Sequence, residues 1–340
     1  MNHSFSTKCI LLIAFTISTS TLKAQKTNPN QYMVAFYNTE NLFHPDKDSL
    51  INDEEFVPDG IRNWTYYKYW EKVRDVFQVI VSASDDLPPA IIGLAEIENY
   101  QVLWDISQNT PLVKEPYHII HHESPDHRGI DIGVLYHKEM VSLMDYQFIP
   151  LVHGTDSLST REIVYVKCRI QQDSLHCFFN HWPSKWGGVK QTEEKRILAG
   201  KILRKKVDSI IAANKEAKIL VMGDFNDNPD SKSIQRLTGA NKTSPGLQNL
   251  SQYDPDGLTG THKYQGIWSI IDQAMVSRAM LKASTGVSCK NDGYQIIKPD
   301  LILEEDEKFG GYKPYRTYSG YKYIGGYSDH LPIVVKMNYN

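Results

Sequence analysis

Cysteine is scarce in this chain, with four in 340 residues, and none stands at a zinc-ligand spacing. That excludes a disulfide-built scaffold and a structural zinc module. An excess of one charge is also missing. With 37 basic and 40 acidic residues the formal net charge is −3, which excludes a protein that grips nucleic acid by bulk positive charge. A local basic groove or a bound divalent cation can still attract phosphate. The N-terminal apolar run, Cys9 to Phe15, is too short to span a bilayer. No repeat of solenoid length, low-complexity tract or Pro/Gly/Ser linker divides the chain. What remains is 41% hydrophobic residues, enough for one large core.

The first residues have the form of a secretory signal: Lys8, the apolar run, then small polar residues leading to Ala24-Gln25. We therefore expect residues 1–24 to be a signal peptide and the mature chain to be periplasmic or extracellular, without a membrane anchor. Cys9 lacks the small-residue context of a lipid-attachment site. Cleavage removes Lys8 and Lys23 and no acid, which takes the balance from −3 to −5. Of the remaining cysteines, Cys168 and Cys177 fall symmetrically about Gln172-Asp173 in an expected hairpin and could form a disulfide. Buried free thiols are the favoured reading, because the geometry of a disulfide is demanding.

One pattern recurs along the chain: an apolar run that stops at polar, chemistry-bearing residues. Leu220-Val221-Met222-Gly223 breaks into Asp224-Phe225-Asn226. Such a run suits a strand buried on both faces whose end displays side chains in the crevice beyond it. Gly223 allows a close backbone approach there. Tyr32 to Tyr37 likewise ends in Asn38-Thr39-Glu40-Asn41, and Ala90 to Ala95 ends in Glu96-Ile97-Glu98-Asn99. A hairpin of Ile163 to Ile170 and Leu175 to Asn180 delivers His181, and Leu331 to Met337 is entered from Ser328-Asp329-His330. Asp272 sits among apolar residues in the expected strand Ser269 to Val276, where a buried acid needs a partner.

Helices fill the gaps. Tyr66, Tyr69, Trp70, Val73, Phe77 and Ile80 share a face at helical spacing, expected to be core. A second helix is expected from about Gln101 to Asn109, and a third capped by Thr192 and closing near Asn214. The segment from His118 to His127 holds four histidines and is expected to be a solvated loop rather than a metal site. Residues 308–327 interleave tyrosines with Arg316 and lysines, which fits either a base-stacking surface or a hairpin whose tyrosines pair across strands. Trp268 could stack on a base or sugar, although a packed indole is the commoner case.

Asn38, Glu40, Glu96, His181, Asp224, Asn226, Asp272, Asp329 and His330 together form a set of hard oxygen donors with two imidazoles. That set suits a divalent cation such as Mg2+. The segments that carry them, Tyr37-Asn38-Thr39-Glu40-Asn41-Leu42, Ala95-Glu96-Ile97-Glu98-Asn99, Asn180-His181-Trp182-Pro183-Ser184, Gly223-Asp224-Phe225-Asn226, Ile271-Asp272-Gln273 and Ser328-Asp329-His330-Leu331-Pro332, are as a series specific. In this order the chain resembles the endonuclease/exonuclease/phosphatase superfamily, the DNase I-like fold, and within it the exported bacterial nuclease branch.

The resemblance implies a four-layered α/β sandwich in which two mixed β-sheets face each other with helices outside. Residues 25–340 would be a single endonuclease/exonuclease/phosphatase domain. It implies Mg2+ as cofactor, with Mn2+ or Ca2+ as alternatives, held by Glu96 with Glu40, Asn38 and Asp329. His330 would pair with Asp272, Asp224 and Asn226 would position water and phosphate, and His181 would donate to a phosphate oxygen. Arg128 and Asp131 would lie near the substrate groove, and Arg316 and Trp268, read above from their own surroundings, are the further candidate substrate contacts. Two departures matter. His181 stands where abasic-site repair members carry Tyr, which points away from repair toward a less selective nuclease, and Glu40 stands where others carry Asp.

The expected activity is metal-dependent hydrolysis of nucleic-acid phosphodiesters, DNA foremost, with no obligate protein partner. A small phosphate ester, phosphoinositide or sphingolipid head group is the alternative substrate. A catalytically silent binding module is disfavoured because no member of the site is missing.

Overall fold

Strand β1 (Gln31–Leu42) buries Val34 and Phe36 on one face and Ala35 and Tyr37 on the other. A strand buried on both faces has to lie between two layers, and that arrangement holds for the central strands. The computed structural model describes residues 30–84, 87–153, 156–239, 246–251 and 259–340. The expected signal peptide, residues 1–24, lies outside them. Among the described residues no helix is long and apolar enough to cross a membrane.

After β1 come α1 (Tyr66–Ala83), β2 (Ile91–Ile97), α2 (Tyr100–Gln108), β3 (Tyr117–Ile120), β4 (Asp131–His137) and β5 (Ser142–Ile149). The second half holds β6 (Ile163–Ile170), β7 (Asp173–His181), α3 (Val189–Ala213), β8 (Lys218–Asp224), α4 (Lys232–Thr238) and β9 (Leu247–Asn249). It ends with β10 (Asp272–Ser277), α5 (Arg278–Lys282), β11 (Val287–Ile296) and β12 (Ile333–Tyr339).

The strands form two six-stranded sheets, β11-β12-β1-β2-β4-β3 and β9-β10-β8-β7-β6-β5. Each sheet has one parallel pair at its centre, β1 with β2 and β8 with β7, flanked by antiparallel partners. One core lies between the sheets, with Phe36, Ile91 and Val134 meeting Phe179, Leu220 and Met222. Burying each such side chain stabilises by about 1.5–3 kcal/mol. A Cβ at Gly93 would fall 2.3 Å from the Phe179 ring, so glycine lets the two sheets close there. The outer face of the first sheet packs on α1 and α2, and that of the second on α3 and α4. The four-layered sandwich is the fold expected from the sequence.

Several local expectations are corrected. On α1 the buried face runs through Tyr69, Lys72, Val73, Val76 and Ile80, while Tyr66 and Trp70 are exposed. The stripe is rotated by the pull of Val76 and Val79 into the core, and a lysine shares it. Helix α3 starts at Val189, so Thr192 lies inside it and donates to the Gly188 carbonyl instead of capping. The hairpin of β6 and β7 pairs Cys168 with Leu175 and Val166 with Cys177, two residues off the assumed register. Cys168, Cys177 and Cys289 are free and buried. The histidine segment is not a solvated loop throughout, since His118 lies on β3 and the side chain of His121 is only 3% exposed. Residues 312–314 pair with 303–305, and in a second short hairpin Tyr318 and Tyr323 pair across strands, their rings 5.4 Å apart. The cations over these rings are Arg62 and Lys68, from outside the insert.

Candidate active site

The ends of the central strands meet at one rim, and irregular backbone places their acids there. The register between β1 and β2 slips between Asn38 and Leu42, and that between β2 and β4 slips between Ala95 and Ile97. Each slip is a bulge that re-aims side chains. Glu40, Asn41 and Glu96 have φ of 55°, 55° and 61°, a left-handed conformation that costs on the order of 1 kcal/mol for a residue with a Cβ. The bulges lock onto each other, because Glu96 Oε2 accepts from the Asn41 amide at 2.8 Å.

The second sheet supplies its residues without such bending. Asp224, the last residue of β8, is in register with His181 on one side and Asp272 on the other. Residues directly paired across strands share a face, so the three point together. Gly223 has φ 147°, and a Cβ there would lie 2.1 Å from the Asn180 carbonyl oxygen. The chain then turns through Asn226, φ 53°, whose amide donates to Asp224 Oδ1 at 2.8 Å.

Two hydrogen bonds sew the sheets together at this rim. Asn38 donates through Nδ2 to Asp224 Oδ2 at 3.1 Å. His330, on the approach to β12, places Nδ1 2.8 Å from Asp272 Oδ2. Its Nε2 lies 3.9 Å from both Asp224 Oδ2 and Asp329 Oδ1. Ser328 fixes this approach by donating to the Asn38 carbonyl at 2.7 Å and accepting from the His330 amide at 3.0 Å. His181 Nε2 lies 3.6 Å from both Glu96 Oε1 and Asp224 Oδ2.

Burial and charge separate the roles. Burial pushes the Asp224 carboxyl up to about 7, with Asp272 and Glu96 adding to the rise and the His330 charge opposing it. Burial alone would lower His330, but the carboxylates of Asp272 and Asp224 outweigh it and hold the imidazole well above its usual value. His181 is driven well below its usual value, by burial first and then by Arg161 and Arg128. The rim thus favours the charged form of the His330 imidazole and the neutral form of His181.

Glu40 and Asp329 form the other half of the rim. Arg316 donates to Glu40 Oε1 at 3.2 Å and to Asp329 Oδ2 at 2.9 Å, and the Thr317 amide donates to Glu40 Oε2 at 2.7 Å. Lys72, buried under the same segment, bonds Thr317 Oγ1 and the Tyr327 carbonyl. Asn38 spends its oxygen on the Glu40 amide at 3.0 Å. The donor set fits a hard divalent ion: Glu96 lines an open groove, Asp329 and Glu40 stand beside Arg316, and nearly all the donors are oxygen. The acids already draw one positive charge, that of Arg316.

The groove beside Glu96 is about 1230 Å³ in volume and is lined by Arg62, Arg128, Arg161, Lys195 and Trp186, the last 91% exposed. Arg128 is thus in the groove as expected. Three other expected substrate contacts are placed differently. Asp131 is 1% exposed, accepts from the Ser124 amide and does not line the groove. Trp268 is half-buried against the outer core with Lys263 5.9 Å above its ring. Arg316 is held by the two acids. Sequence reasoning missed Arg161 and Asp126, a buried pair 2.9 Å apart beside the groove, and His262, whose ring lies 5.1 Å from that of His330. Only Lys72, a cation on an apolar helix face, left a readable signal.

No curated protein matches the chain. Among solved structures, the fold is similar to an endonuclease/exonuclease/phosphatase family protein from Bacteroides thetaiotaomicron, at 14% identity and TM-score 0.55, covering 91% of this chain and 95% of that one. It is also similar to the human Nocturnin catalytic domain with bound sulfate, at 14% identity and TM-score 0.56, covering 92% and 95%. A mannosyl-6-phosphatase from B. thetaiotaomicron has 15% identity and TM-score 0.57, covering 90% and 99%. At such identities these likenesses concern the fold. The family model described as the Endonuclease/Exonuclease/phosphatase family matches residues 33–339, nearly the whole described chain, and by that match the chain belongs to the endonuclease/exonuclease/phosphatase family of hydrolases.

Proposed function

We propose that this protein is an exported, divalent-metal-assisted phosphodiesterase that cleaves nucleic acid, DNA foremost, as an endonuclease. The observation that carries the reading is the His330–Asp272 couple beside Asp224, joined through His181 to Glu96, which lines a groove larger than one phosphate group needs. Arg128 and Lys195 offer charge along it and the exposed Trp186 offers a stacking face. Export rests on the N-terminal pattern from Lys8 to Ala24.

In this reading Nδ1 of His330 donates to Asp272, which aims Nε2 at the space before Asp224 and stabilises the imidazolium. The cationic His330 steadies phosphoryl oxygens, and Asp224, held by Asn38 and Asn226, takes the proton from the attacking water. Neutral His181 donates a hydrogen bond to a phosphate oxygen. A divalent ion held by Glu96 and Asp329, with Asn38 and Glu40 adjoining, supplies charge neutralisation at the phosphoryl and leaving oxygens when bound.

A second reading, a small phosphate ester as substrate, is favoured by one observation. Glu54, Glu55 and Asp126 line the same groove and offset its cations. Incubation with supercoiled plasmid, RNA, sugar phosphates and lipid head-group esters, each with and without EDTA, separates the readings. Plasmid nicking that EDTA abolishes and Mg2+ restores supports the first. Release of free phosphate from a sugar phosphate without nicking replaces it with the second.

A further inference from the structure

Where β4 begins, opposite Ile97, a second group of titratable side chains converges. One donor atom each from His121, Glu123 and Asp131 lies within 4.8 Å of the others. The side chains of His121 and Asp131 are 3% and 2% exposed, with His121 Nε2 3.3 Å from Asp131 Oδ2. Despite that closeness neither atom has a hydrogen-bond partner. The two therefore lie close together with no hydrogen bond between them. Buried polar atoms left in this state are costly and call for an explanation, an ion among them. Asp131 is oriented for the task, because its Oδ1 accepts from the Ser124 amide at 3.0 Å. Glu123 Oε1 lies 3.7 Å from His121 Nδ1 on a side chain 59% exposed, which leaves a path from solvent.

We infer that His121, Glu123 and Asp131 form a second cation site, separate from the active site, that takes a first-row divalent ion such as Zn2+. The donor set selects the ion. An imidazole with two carboxylates suits zinc and its neighbours, whereas Mg2+ and Ca2+ prefer oxygen alone. Three protein donors leave a position for water, as zinc tolerates. The site's place in the fold suggests its purpose. The chain runs from His121 and Glu123 to Asp126, which holds both Arg128 and Arg161 at the groove, and on to Asp131 in β4. An ion tying His121 and Glu123 to Asp131 would close that loop at its base and fix the groove cations.

Binding of Zn2+ to the metal-free mature protein, followed by calorimetry and by the melting temperature, tests the site without recourse to activity. In a Glu96→Gln/His330→Ala background, which weakens ion binding at the active site, we expect about one Zn2+ per chain and a raised melting temperature. Adding Glu123→Gln, at an exposed position that the fold does not depend on, should weaken this binding at least tenfold, and His121→Ala should abolish the Zn2+-dependent shift. If His121→Ala does not fold, the Glu123→Gln comparison alone decides. Superimposable Zn2+ isotherms with and without Glu123→Gln would show a proton-sharing cluster and overturn the inference.

Discussion

The first sheet bends to reach the active site, whereas the second runs straight into it. Glu40, Asn41 and Glu96 stand on bulges with left-handed backbone, and the register of β1 and β2 breaks around them. Asp224 closes a strand whose pairing with β7 and β10 stays regular to its last residue, which brings His181 and Asp272 alongside. The strained half is the one with carboxylates suited to a cation, and the regular half carries Asp224 and Asp272, against which the first sheet's His330 is set. Strain of this kind persists only when surroundings over-determine it, and here the Glu96–Asn41 and Asn38–Asp224 hydrogen bonds do so.

The sharpest test of that division removes groups from both halves. Glu96→Gln, Asp224→Asn and His330→Ala should each lower kcat on bis(p-nitrophenyl) phosphate by at least about a hundredfold, while the far-ultraviolet dichroism stays that of the folded protein. Equal activity of any of them would detach that residue from the chemistry. Next in size is Gly223→Ala, which inserts a Cβ 2.1 Å from the Asn180 carbonyl in the regular half. We expect it to destabilise by on the order of 2 kcal/mol in urea unfolding. Asn38→Ala cuts a tie between the halves and should lower kcat about tenfold with a smaller change in stability. The smallest effect distinguishes the bent half by its backbone alone. Among inactive variants, Glu96→Gly should be more stable than Glu96→Ala by about 1 kcal/mol, because glycine accepts φ near 61°. In a regular strand the order would reverse.

The apolar runs of β1, β2, β7, β8 and β12 and the polar residues that end them were legible in the sequence, because two-sided burial leaves continuous hydrophobic stretches. So was the His330–Asp272 couple, although on the strength of a family resemblance. What was not legible came from packing between distant segments. The Arg161–Asp126 pair joins residues 35 apart, and the contact of Arg316 with Glu40 spans 276 positions. No local pattern encodes either. The register of β6 and β7 was misjudged because the Cys168–Cys177 symmetry placed the turn's centre at Gln172-Asp173, whereas Ile170 pairs with Asp173 and the turn is tighter. Asp131 was assigned to the groove from the family resemblance, but its side chain is buried against His121.

The claim that both halves act as one site is tested most directly by a double-mutant cycle between His330, from the first sheet, and Asp272, from the second, read as kcat on bis(p-nitrophenyl) phosphate. If Asp272 works only by orienting and charging His330, then His330→Ala combined with Asp272→Asn should be no slower than His330→Ala alone. Losses that multiply would mean that the two residues act independently, contradicting the account.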